Sequence, residues 1–138
     1  WKSPKANYHD YDLSDYTEPM NGKTLALFDD HVSHFNRIKY CFDKNIEFII
    51  LDDDVSVETV HSDGCPPIPT ANMLVNYEQI PHHFSWVSNG RKGQADISNL
   101  DTKFINRNYS YLSAPDFFEY TGYQNTSTTS VMTKKRCA

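Results

Sequence analysis

Two short apolar runs, Thr24-Leu25-Ala26-Leu27-Phe28 and Ile46-Glu47-Phe48-Ile49-Ile50-Leu51, each end in an acidic cluster, Asp29-Asp30-His31 and Asp52-Asp53-Asp54. Between them Val32, Phe35, Ile38, Cys41 and Phe42 recur at helical spacing, while Ser33, Asn36, Arg37, Lys39 and Asp43 fill the opposite face, the pattern of an amphipathic helix. Runs that are apolar on both faces suit central strands of a parallel sheet. Strand, helix and strand in that order form a right-handed crossover with the two strands parallel. Asp30 is placed to cap the start of the helix, and Asn45 to end it in the left-handed conformation.

The rest of the chain is expected to build around this unit. Residues 1–23 hold Pro4, Pro19 and Gly22 without sustained periodicity and read as an irregular arm, packed onto the body through Tyr8, Tyr11 and Tyr16. Residues 24–138 read as a single α/β domain. The stretch Asp63-Gly64-Cys65-Pro66-Pro67-Ile68-Pro69 is a loop, because its prolines enter neither a helix interior nor a central strand. Thr70 offers an N-cap for a short helix through Met73, Leu74 and Tyr77. Residues 82–103 are polar, and a loop with surface histidines His82 and His83 is expected there. Residues 117–123 and 128–135 are β-prone runs joined by Gln124-Asn125-Thr126-Ser127, which predicts a closing antiparallel hairpin. The expected fold is therefore α/β, a Rossmann-like, partly parallel sheet with a C-terminal antiparallel hairpin.

Composition narrows the function classes. A chain of 138 residues suffices for one core and buries roughly two-thirds of its unfolded surface. A net charge of -5 and a pI near 5.6 argue against a nucleic-acid or anionic-membrane surface, which needs clustered Lys and Arg. The basic run Lys134-Lys135-Arg136 reads as a solvated chain end. No apolar stretch approaches the roughly 20 residues of a membrane helix. Cys41, Cys65 and Cys137 fit no zinc-ribbon spacing; Cys41 falls on the core face of the helix, and disulfide pairing among the three stays open. Asn108-Tyr109-Ser110 and Asn125-Thr126-Ser127 match the N-glycosylation acceptor, a pattern that matters on a secreted or endomembrane route and leaves a cytoplasmic location open. The chain opens on Trp1, as expected of a processed product or part of a longer protein.

In an open α/β sheet, ligands bind beyond the carboxyl ends of the strands, and both acidic clusters sit there. Neighbouring strands lie about 4.8 Å apart, so carboxylates at two adjacent ends can reach one ion. Converging carboxylates raise one another's pKa unless a cation neutralises them. Oxygen ligation with a single histidine, His31, points to Mg²⁺, Ca²⁺ or Mn²⁺ rather than zinc or copper. The alternative is that Asp30 only caps the helix and Asp52 to Asp54 polarise a solvated turn. His61 and Asp63 lie near enough in sequence to join such a site.

The segment Leu25-Ala26-Leu27-Phe28-Asp29-Asp30-His31, helix, Ile49-Ile50-Leu51-Asp52-Asp53-Asp54-Val55 resembles the metal-site half of the class I methyltransferase fold. The likeness is to catechol-type O-methyltransferases and, more loosely, to the cephalosporin-hydroxylase-like group. The resemblance implies Asp30, Asp53 and Asp54 as metal ligands, with His31 beside them in the catalytic position. It also implies a small-molecule hydroxyl substrate methylated by S-adenosylmethionine. Asp54 stands where the family has Asn, and Ser33 where a lysine base would be sought. The family's glycine-rich cofactor loop is not found in residues 1–23, so the resemblance implies an incomplete domain whose cofactor half is supplied by another segment or chain.

Phe48-Ile49-Ile50-Leu51-Asp52-Asp53-Asp54-Val55 also resembles the Asp-x-Asp strand of A-type glycosyltransferases. There Asp52 and Asp54 would hold a metal on a nucleotide sugar, with a glycan as acceptor. This second resemblance gives no reason for Asp29-Asp30-His31. A third reading is a non-catalytic interaction domain that associates with another protein chain.

Overall fold

The computed structural model describes residues 24–113 and 129–135. The strand, helix, strand unit is present as β1 (Leu25–Phe28), α1 (His34–Asp43) and β2 (Phe48–Leu51). β1 and β2 pair in parallel, with Leu25 beside Phe48 and Phe28 beside Leu51. Asn45 has φ 59° and turns the chain from the helix into β2, as its short polar side chain permits. The helix begins later than its apolar spacing suggests. Ser33 is its N-cap residue, Val32 is exposed, and the first turn buries His34 instead.

Beyond β2 come a short 3-10 turn (Val60–Ser62), α2 (Ala71–Val75), a second 3-10 turn (Tyr77–Gln79), β3 (His83–Ser88), β4 (Arg91–Asp96), α3 (Thr102–Asn108), β5 (Tyr109–Ser113) and β6 (Ser130–Lys134). The main sheet has the order β1-β2-β6-β5. β6 runs antiparallel to both neighbours, so the fold is α/β with one parallel pair and an antiparallel C-terminal side.

Two expectations are corrected here. Residues 82–103 contain an antiparallel hairpin, β3 and β4, closed by Asn89 and Gly90 with φ 49° and 76°. Two successive left-handed residues make the turn that matches the twist of paired strands, and Asn-Gly is its commonest sequence. Polar composition conceals it, because the hairpin is largely solvated and its apolar anchor is half-buried Phe84 and Trp86, which pack against Val55, Val60 and Met73. Gly93 faces Trp86 across the ladder, and the indole lies where a β-carbon would stand. The second correction concerns the closing pair. The run 128–135 does supply β6, but its partner is β5, with Tyr111 beside Met132; the run 117–123 lies outside the described residues, as do the arm 1–23 and its three tyrosines.

Alternation sorts the sheet into two faces. Ala26, Ile49, Met132 and Tyr111 share one row, and Phe28, Leu51 and Ser130 another. These pack with Ile38 and Cys41 of α1, Ala71 and Leu74 of α2, and Ile105 of α3 into the core. The other face carries Leu25, Leu27 and Leu112, each more than half exposed.

Thr70 caps α2 as its sequence suggests, accepting the Met73 N–H at 3.2 Å. Asp101 does the same for α3 through the Phe104 N–H at 3.3 Å. Among the described residues no helix is long and apolar enough to cross a membrane.

Cys41 and Cys65 are free thiols, the first buried and the second exposed; Cys137 lies outside the described residues. Burial pushes the Cys41 thiol up to about 12, against the opposing charge of Arg37. Since the thiolate is the reactive form, iodoacetamide under native conditions should alkylate Cys65 within minutes and leave Cys41 unmodified until denaturant is added, as read by peptide mass mapping. Equal labelling of the two in the native protein would contradict the packing of α1.

Candidate metal centre at the acidic strand ends

The two acidic clusters do come together, but with a division of labour that their sequences do not announce. Asp29, His31 and Asp53 each offer a ligand atom, and these atoms all lie within 4.8 Å of one another. His31 and Asp53 both have positive φ, 55° and 54°. Each therefore sits in a tight reversal just past its strand. His31 Nδ1 is 3.5 Å from the Asp53 carboxylate.

Asp30 and Asp54, expected as ligands beside Asp53, are engaged elsewhere. Asp30 accepts the Val32 N–H at 3.1 Å and pairs with the Arg37 guanidinium at 2.6 Å. It thereby secures the approach to α1 without serving as its cap residue. Asp54 is almost wholly buried. Its Oδ1 accepts the Asn72 N–H at 2.7 Å and its Oδ2 accepts the Tyr111 hydroxyl at 2.8 Å. Burial and the charge of Asp54 together push the Tyr111 phenol well above its ordinary range, which keeps it a donor. Asp52 lies between these roles, with Oδ1 accepting the Thr129 hydroxyl at 3.1 Å.

His34, which periodicity alone leaves unremarked, completes the support. Its Nε2 lies 3.0 Å from the Asp52 carbonyl, while its Nδ1 accepts the Ala71 N–H at 3.1 Å. With Nδ1 accepting, the proton must be on Nε2, so the two bonds fix the tautomer. Ala71, Asn72 and Met73 begin a helix and have no intrahelical partner for their N–H groups. They are met in turn by His34, Asp54 and Thr70. The backbone also ties α1 to the proline loop, since the His34 N–H donates to the Pro69 carbonyl at 3.1 Å.

Around the cluster the electrostatics are unfavourable to negative charge. Partial burial, then the charges of Asp63 and Asp52, raise the Asp53 carboxyl above its ordinary value; His31 opposes this and Asp29 adds to it. Asp63 uses Oδ1 to accept the Cys65 N–H at 2.8 Å, and its Oδ2 is buried without a partner among the described residues. A buried carboxylate oxygen left unpaired is costly. The donor set of two carboxylates and one imidazole, with uncompensated negative charge beside it, fits an oxygen-preferring divalent cation.

The other candidates have structural duties. His61 accepts the Val87 N–H at 3.1 Å and so docks the β3–β4 hairpin. His82 stacks on Tyr77, ring centroids 3.9 Å apart, and His83 is exposed beside Asp96. Asn108 of the first glycosylation pattern ends α3 half-buried, its amide donating to the Phe104 carbonyl at 2.8 Å; Asn125 lies outside the described residues.

Three substitutions separate these roles. Asp54→Ala strands the Asn72 N–H and the Tyr111 hydroxyl and should cost about 3 kcal/mol or more, whereas Asp54→Asn keeps an acceptor for Asn72 and should cost less than half of that in urea unfolding. Asp53→Asn should do the opposite. Because the folded state raises the Asp53 pKa, it disfavours the carboxylate, and the penalty is complete above the raised value. It fades as pH falls to the ordinary Asp value of about 3.9, below which both states are protonated. In chelator, Asp53→Asn should therefore raise the melting temperature at pH 7 and leave it unchanged below pH ~3.5. A scan of protein-family models, a search of curated proteins and a search of solved structures each return no match to this chain.

Proposed function

We propose that the side-chain cluster beyond the ends of β1 and β2 is the divalent-cation site of a metal-dependent transferase, with Asp29, His31 and Asp53 as the protein ligands. The observation that carries this reading is the convergence of the three donors from two separate strand ends. Supporting it is the raised Asp53 carboxyl, to which the nearby charge of Asp63 contributes and which a cation would relieve. Mg²⁺, Mn²⁺ or Ca²⁺ suits the donors, and three protein ligands leave room for water and substrate oxygens. Such an ion would lower the pKa of a substrate hydroxyl and orient it for attack.

Methyl transfer from S-adenosylmethionine to a hydroxyl is the form of this chemistry that the family resemblance favours. In it, Asp29 and Asp53 bind from the two strand ends and His31 closes the third side. No glycine-rich strand-to-helix turn occurs among the described residues, so the cofactor would be held by another segment or chain. Glycosyl transfer through Asp52 and Asp54 has less support, because both Asp54 oxygens already accept hydrogen bonds in the interior.

Calorimetric titration tests the site directly. Mn²⁺ should bind with saturation at one site per chain, and Asp29→Asn or Asp53→Asn should weaken it at least about tenfold, the loss of roughly 1.4 kcal/mol of binding free energy. Asp30→Asn should leave the affinity nearly unchanged. Absence of binding, or binding indifferent to Asp29 and Asp53, would remove the proposal; S-adenosylmethionine binding enhanced by the ion would then separate methyl transfer from other transfers.

A further inference from the structure

Among the described residues the sheet is covered on one side only. Leu25, Leu27 and Leu112 are 58%, 66% and 64% exposed, and the strand register puts them in two rows with Phe48, Ile50 and Val131. β1 and β5 are the outer strands of the four-stranded sheet, so these three leucines sit at its two margins with the partly buried residues between them. All six belong to the face opposite the core, and none of them joins the buried cluster that the sheet forms with α1, α2 and α3. A parallel pair of strands ordinarily has both faces covered.

Dimensions decide what can cover it. Four strands about 4.8 Å apart and four residues at about 3.3 Å give a platform of roughly 19 Å by 13 Å, or about 250 Å². A stable interface between chains takes about 800 Å² from each partner, so two copies meeting on this face alone would be held weakly. An intrachain cover has no such threshold, since it loses no translational freedom on closing. Residues 1–23 join the platform directly, at Thr24 beside Leu25, and contain Trp1, Tyr8, Tyr11, Leu13, Tyr16 and Met20. Twenty-three residues reach about 35 Å even as a helix, beyond the width to be crossed.

We propose that the open face of the sheet is the docking surface for the chain's own N-terminal segment, residues 1–23. This inference is independent of the cation site, which lies past the other end of β1.

The test uses the full chain with the photoreactive residue p-benzoylphenylalanine in place of Leu27, and an equal mixture of isotopically light and heavy protein. After irradiation at low micromolar concentration, mapped peptides should join position 27 to residues 1–23, light to light and heavy to heavy. Links from position 27 chiefly to residues 114–128, links between light and heavy chains, or no links at all would overturn the proposal. The same probe in place of Val87, on the β3–β4 hairpin, should give no links to residues 1–23. As a second measurement, Leu25→Ser with Leu27→Ser should lower the melting temperature by several degrees; an unchanged melting temperature, as for two solvated side chains, would also count against it.

Discussion

The imidazole of His34, buried beside the Asp54 carboxylate, holds the two halves of this domain in register. It meets the Asp52 carbonyl at the end of β2 and the Ala71 N–H at the start of α2. Asp54 takes the next N–H of that helix and the Tyr111 hydroxyl from β5. One pair of polar side chains thus connects α1, the end of β2, α2 and the far edge of the sheet. Burying such groups is tolerable only because every bond is made. Once made, they fix where the chain after Leu51 must run.

That constraint explains the split among the acidic residues. With Asp54 drawn inward, the adjacent Asp53 is turned outward in a left-handed reversal, toward His31 and Asp29 at the end of the neighbouring strand. Asp30 is drawn away by Arg37. Asp53 has no comparable set of donors among the described residues, and its partial burial, with Asp63 and Asp52 nearby, raises its carboxyl. A rigid inner carboxylate and an uncompensated outer cluster are what a preorganised ion site requires.

The strand, helix, strand unit was legible because its information is local: apolar runs, a helical stripe and Asn45 at the turn. The Asn89-Gly90 turn is equally local, but its flanking strands are mostly polar and solvated, and β4 carries little of the apolar alternation that marks a hairpin. The roles of the aspartates were not legible. Asp54 depends on Asn72 and Tyr111, which lie 18 and 57 residues along the chain, and His34 depends on Ala71, 37 residues away. Motif resemblance singled out Asp30, Asp53 and Asp54, whereas the fold brings Asp53 together with Asp29 and His31 and gives Asp30 and Asp54 other partners. Adjacent carboxylates in a run are distinguished by which distant donors reach them, and no spacing rule carries that.

The central claim is that Asp53 faces a ligand site while Asp54 is internal structure. Anomalous diffraction at the manganese edge from crystals grown with Mn²⁺ tests it most directly. The account predicts a single strong peak in coordinating contact with Asp29, His31 and Asp53, with Asp54 still bonded to Asn72 and Tyr111. A peak coordinated by Asp52 and Asp54, or no peak at these strand ends, would contradict it.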